Sequence, residues 1–147
     1  MKHVTLGLAL VLGLAACSAD FLPFSMGALE GTETAAPDDW AAVGATEIIQ
    51  FETNPAEPYS VNLWVVTAND LLYVFAGDSK ATWVENIEAD PAVRLGANGS
   101  IYRLTAEQVN GKDEFAMFEE LWKSKYGNYP RNRNVDETYL FRLKRAE

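Results

Sequence analysis

The 147-residue chain has one cysteine, Cys17, and one histidine, His3. Beyond position 17 it therefore has no means of closing an internal disulfide, no thiol nucleophile and no imidazole base. Zinc sites draw on Cys or His in nearly every known form, so no zinc site is expected, and no Asp-x-Asp-x-Asp-Gly calcium loop occurs. Basic residues are also scarce. Twelve Lys and Arg face 21 Asp and Glu, a formal charge of −9. Such a surface repels phosphate backbones, which argues against nucleic acid as a partner, and against docking on anionic lipid through charge. No apolar run reaches the roughly 20 residues of a membrane-crossing helix. Any catalysis by this chain must come from carboxylates, tyrosine or a borrowed cofactor.

The amino terminus carries a short charged start, Met1–His3, an apolar run, Val4 to Leu14, and then Ala15-Ala16-Cys17. This has the layout of an export signal with small residues before the cut. Leu14-Ala15-Ala16-Cys17 resembles the bacterial lipoprotein signal, in which the cysteine is acylated and becomes the first mature residue. The resemblance implies lipidation of Cys17 and a partner in the membrane reached through the acyl chains, which hold stably when two or more are present. By similarity to enterobacterial lipoproteins, Ser18 after the cysteine implies the outer membrane, facing the periplasm of a bacterial cell envelope. A cut after residue 16 removes only one basic residue, leaving 131 residues with a charge of −10. That is one domain's length, enough to bury a core. The expected organisation is a signal over 1–16, a flexible tether over 17–37, which is small, polar and irregular, and a folded domain over 38–147.

Within that domain strand signals dominate. Asp38–Val43 reads as a short helix stopped by Gly44. Glu47–Thr53 is β-branched and half-alternating, Asn54–Pro58 breaks it, and Ser60–Thr67 and Leu71–Ala76 form a hairpin around Asn69-Asp70. The period then changes. Ser79–Ala89 reads as a helix capped by Asp78 or Ser79, with Trp83, Val84 and Ile87 on one face and Pro91 closing it. Ala92–Leu95 and Ser100–Val109 form a further strand pair. Asp113–Tyr126 is an amphipathic helix carrying Phe115, Phe118, Leu121 and Trp122, and Thr138–Leu143 is a last strand. The order β-β-β-α-β-β-α-β gives an α+β fold: a mainly antiparallel split β-barrel of about six strands with two flanking helices.

Gly77, Lys80 and the run Trp83-Val84-Glu85-Asn86-Ile87-Glu88-Ala89-Asp90-Pro91-Ala92-Val93 resemble the split-barrel flavin-binding superfamily of pyridoxamine 5′-phosphate oxidase, in particular its deazaflavin-dependent nitroreductase-like branch. The resemblance implies FMN or a deazaflavin as cofactor, and pairing of two barrels as a homodimer. It also implies that the loop and helix start at 77–83 face a phosphate. Ser79, Lys80, Trp83, Asn86 and Arg94 are then candidate cofactor-binding residues: a hydroxyl, a charge, a ring to stack, an amide and a guanidinium. Each also has an ordinary reading. Ser79 is a cap, Lys80 a solvated charge, Trp83 core, Asn86 a backbone bridge and Arg94 a surface residue. The branch's basic Gly-Arg-Lys-Ser-Gly-like segment is replaced here by Thr53-Asn54-Pro55-Ala56-Glu57-Pro58-Tyr59, with an acid and no base. Arg94 and Arg103, on neighbouring strands, are placed to supply part of that charge. A Tyr126, Tyr129, Arg131, Arg133 cluster is a second candidate for a flat or acidic ligand.

The sequence thus points to an envelope lipoprotein whose split-barrel domain binds a small molecule or a partner without catalysis. The alternative is a flavin- or deazaflavin-dependent oxidoreductase.

Overall fold

The computed structural model describes residues 27–68 and 70–147; the signal, Cys17 and the first part of the tether lie outside the described residues. Eight strands and three helices follow in the order β1 (Thr32–Glu33), α1 (Ala41–Gly44), β2 (Ile48–Thr53), β3 (Tyr59–Trp64), β4 (Val66–Ala68), β5 (Leu71–Phe75), α2 (Thr82–Ala89), β6 (Ala92–Ala97), β7 (Ser100–Gln108), α3 (Lys112–Tyr126) and β8 (Leu140–Arg145), with a 3₁₀ turn at Val135–Glu137 before β8. The strand order is β3-β2-β6-β7-β8-β5-β4, all antiparallel, and β1 adds in parallel to β7. β3 and β4 stand at opposite ends of that order, yet only Val65 separates them along the chain. The sheet therefore curls until its two edges meet in one bent strand, which is how a split barrel hides its edges. The α+β split barrel expected from the sequence is the fold observed.

Its core has two compartments. Phe51, Leu72, Val74, Trp83, Val84, Leu95, Leu104, Phe141 and Leu143 fill the barrel, with α2 plugging it. On the other side of β4, β5 and β8, helix α3 buries Phe115, Phe118 and Trp122 against Val66, Tyr73 and Leu140. The i, i+3, i+4 spacing of those aromatics is the stripe the sequence displays. Gly127 ends α3 in the left-handed conformation, at φ 82°. β6 and β7 join through Asn98-Gly99, both at positive φ, as a two-residue hairpin turn requires.

Four expectations change. The end of the expected tether, from residue 29 to 37, packs on the domain: Leu29 is buried, Thr32–Glu33 pairs with β7, and Arg145 holds the Pro37 carbonyl. Ser60–Thr67 is two strands, because the backbone of Val65 is taken by side chains of α3 and not by a neighbouring strand. Its N–H donates to the Tyr126 hydroxyl (3.0 Å) and its carbonyl accepts from Lys125 Nζ (2.5 Å). Helix α2 starts at Thr82 and its cap position, Ala81, makes no side-chain capping bond, so neither Asp78 nor Ser79 caps it. The last strand begins at Leu140, two residues later than expected.

Candidate functional site

The loop that carries the first candidates is set by backbone bonds. Ala76 donates to the carbonyl of Tyr139 and Tyr139 donates back to that of Gly77, both at 2.9 Å, which pins the end of β5 to the approach to β8. Gly77 sits at φ 64°, a conformation strained for any residue with a Cβ. From there Asp78, Ser79 and Lys80 run over the surface into α2. In the first turn of α2 the Val84 amide donates to the Ala81 carbonyl at 2.9 Å, and the Thr82 and Trp83 amides precede it at the positive end of the dipole, a setting that suits an anion. Lys80 lies 2.6 Å from Glu88, and that bond raises its pKa.

Trp83 and Asn86 face the other way. Trp83 is 4% exposed, wedged edge-to-face between Phe51 and Phe141, each 5.7 Å away between ring centres. Asn86 Nδ2 donates to Thr53 Oγ1 at 2.9 Å and ties α2 to the β2–β3 hairpin. Arg94 is on the barrel's outer face. Its Nε and Nη2 donate to the two carboxylate oxygens of Glu52, each at 2.7 Å, and its Nη1 reaches Glu33 at 3.2 Å. These bonds raise the Arg94 pKa, with Glu52 the main cause. Arg103 also binds Glu33. The five candidates therefore do not converge: Ser79 and Lys80 share the loop, Trp83 is core, Asn86 is a bridge and Arg94 belongs to an ion-pair cluster. Tyr129 stacks under Arg133 and Lys123, while Arg133 pairs with Glu119.

The facing of one aromatic group depends on strand register, which the sequence does not display. Trp64, at the end of β3, is 42% exposed, whereas Tyr73 and Trp83 point inward. Its ring stacks on Tyr126 at 4.5 Å and 15°, and lies 5.3 Å from Trp122, which in turn touches Phe75 at 5.8 Å. Phe75 is two residues before Gly77, so the ring contacts run from an open shelf back to the 77–80 loop. The shelf is held from beneath. The Tyr126 hydroxyl, its pKa pushed up to about 12 by burial, accepts from Val65 and donates toward the Glu47 and Val65 carbonyls, and Lys125 Nζ donates to Thr46 and Val65. Burial also lowers the Lys125 pKa. Beside these residues lies an open hollow of about 400 Å³ lined by Ala45, Glu47, Lys125 and Tyr126. Among the described residues, two buried side-chain polar atoms have no partner: Ser60 Oγ and Trp122 Nε1.

A curled antiparallel barrel with a Gly-basic loop leading into its plugging helix is a split barrel. Solved structures of low identity share this fold. An FAD-binding protein from Mesorhizobium loti is 16% identical, with TM-score 0.53 over 73% of this chain and 84% of its own. A protein described as an F420 reductase is 15% identical, with TM-score 0.54 over 76% and 95%. General Stress Protein 26 from Bacillus anthracis is 14% identical, with TM-score 0.54 over 71% and 83%. No curated protein matches the sequence. Residues 60–139, more than half of the chain, match the F420H(2)-dependent quinone reductase family, and the chain belongs to that family.

Proposed function

We propose that this domain is a deazaflavin- or flavin-dependent reductase that passes a hydride from the reduced cofactor to a small acceptor such as a quinone. The single observation that carries the reading is the family match over residues 60–139, which spans the 77–93 segment and both walls of the Trp64 shelf. The residues present suit a flat ring with an anionic arm. Trp64 and Tyr126 offer a stacking face, the neighbouring Trp122 has a buried, unpartnered indole N–H, and Gly77–Lys80 with the Thr82 and Trp83 amides of α2 would receive the anionic arm. The bound ring supplies the hydride. The chain's part is to bind and orient that ring and to shield one of its faces from water. The proton completing quinone reduction would come from solvent or from a carboxyl or tyrosine hydroxyl, since the domain has no histidine beyond His3. We place the domain on an envelope membrane through acylated Cys17, a placement supported by the Leu14–Cys17 sequence.

A second reading has its own support. Lys80, Arg94 and Arg103 are each bonded to carboxylates, and no base stands on 53–59. A domain of that kind binds a ligand or partner on a lipoprotein without catalysis. Turnover separates the two. Purified full chain mixed with reduced deazaflavin and menadione should restore the oxidised cofactor's visible absorbance well above the protein-free rate. Lys80→Ala should raise the cofactor's KM by about tenfold, the worth of one charge-assisted bond. Binding with no acceleration would favour the second reading.

A further inference from the structure

The sheet register sets four polar side chains in one row. Ser60 is opposite Glu52, Glu52 opposite Arg94, and Arg94 opposite Arg103, across β3, β2, β6 and β7. Directly opposed residues project from the same face, and two like charges so placed repel. An anion has to stand between the two guanidinium groups. Here it is the carboxylate of Glu33. Arg103 donates to it through Nε at 2.9 Å and Nη2 at 2.7 Å, and Arg94 through Nη1 at 3.2 Å. Arg94 does not swing, because the other edge of its guanidinium is clamped by Glu52, which is 3% exposed and also accepts the Leu29 amide at 2.7 Å. Three N–H donors, the Arg94 one held in place by the Glu52 clamp, thus meet one carboxylate, the arrangement that holds a phosphate or a carboxylate.

The occupant is open to solvent. Glu33 is half-exposed and sits on a two-residue strand, where the Thr32 amide, and the Thr34 amide just after it, donate to the Gly99 and Ile101 carbonyls at 3.1 and 2.9 Å. The fork opens on both sides. A groove of about 390 Å³ beside it is lined by Pro55, Pro58, Arg94, Arg103 and Thr105, and a hollow of about 510 Å³ on its other side by Glu33, Thr34, Arg103 and Arg145. Arg103 is itself 67% exposed. In the same row Ser60 Oγ is buried with no partner. No residue of 77–83 lines either space, so the site is separate from the deazaflavin reading.

We propose that Arg94 and Arg103 form an oxyanion-binding site for the phosphate or carboxylate group of a small ligand, and that Glu33 occupies this site until such a ligand displaces the strap. The strap is an internal competitor. Its effective concentration sets the threshold a free ligand must exceed.

The test uses the full chain at constant ionic strength, with inorganic phosphate and citrate as separate probes. Calorimetry should show Glu33→Gln binding at least one of them about tenfold more tightly than the wild type does, since a competing charged bond is gone. Adding Arg103→Gln should abolish that gain. In the wild type, saturating probe should speed hydrogen exchange at the Thr32 and Thr34 amides, which are protected by their bonds to Gly99 and Ile101 while the Glu33 segment is docked. The tighter probe names the ligand class. If Glu33→Gln gains no affinity for either probe, or if the wild-type strap exchanges at the same rate at probe concentrations that saturate it, the Glu33 bridge is purely structural and the inference fails.

Discussion

Arg94→Ala will lower the unfolding free energy by about 3–5 kcal/mol, the cost of leaving one member of a buried ion pair without its partner. Glu52 is the reason. Its carboxylate is 3% exposed and accepts from Arg94 Nε, Arg94 Nη2 and the Leu29 amide. Without the guanidinium only the Leu29 amide remains, and a buried carboxylate left with a single bond is costly. The loss should reach the strap as well, because Glu33 would keep only Arg103 and Leu29 would lose a fixed acceptor. Arg94→Lys should recover less than half, since an ammonium cannot match the two-point geometry. Replacing both partners by apolar residues, Arg94→Met with Glu52→Leu, should recover most of the loss, because the desolvation cost disappears with the charges. Urea unfolding of the four proteins checks the ranking. An Arg94→Ala variant within about 1 kcal/mol of wild type would mean that Glu52 is solvated and the clamp is not formed.

Trp83→Ala should cost a further order of the same size, about 3–5 kcal/mol, as large aromatic truncations in a packed core do. The ring is wedged between Phe51 and Phe141 where α2 plugs the barrel, so its removal leaves a cavity bounded by side chains from β2 and β8 that cannot collapse together. Trp83→Phe should recover more than half of that, because a smaller ring keeps the edge-to-face contacts. Thermal and urea unfolding give the comparison. If Trp83→Ala unfolds like wild type and only cofactor affinity falls, the indole lies against the ligand and not in the core.

These two residues mark what the sequence could and could not reveal. Trp83 and Ile87 share an apolar helix face, and Phe115, Phe118 and Trp122 repeat at helical spacing, so their burial was legible from local periodicity. The same holds for β2, β6 and β7. Arg94 was legible only as a charge, because its partners Glu52 and Glu33 lie 42 and 61 positions away and no local pattern announces them. For the same reason the segment around Glu33 read as tether: two exposed strand residues become ordered through Arg94, Arg103 and the β7 backbone. Val65 split a strand that propensity alone would continue, since Tyr126 and Lys125 reach it from the far end of α3. Trp64 then faces outward on the near side of that break. Its position as the exposed ring of the shelf required the register, which the sequence does not carry.

The central claim is that a member of this family binds the reduced or oxidised deazaflavin ring at the Trp64–Tyr126 shelf. Of the four tryptophans, Trp64 is the exposed one, so titrating deazaflavin into the full chain while recording tryptophan emission tests it directly. The account predicts saturable quenching in the micromolar range, about −8 kcal/mol of binding, and loss of that saturation in Trp64→Ala with unfolding unchanged. Emission that declines only linearly with added deazaflavin, alike in both proteins, would contradict it.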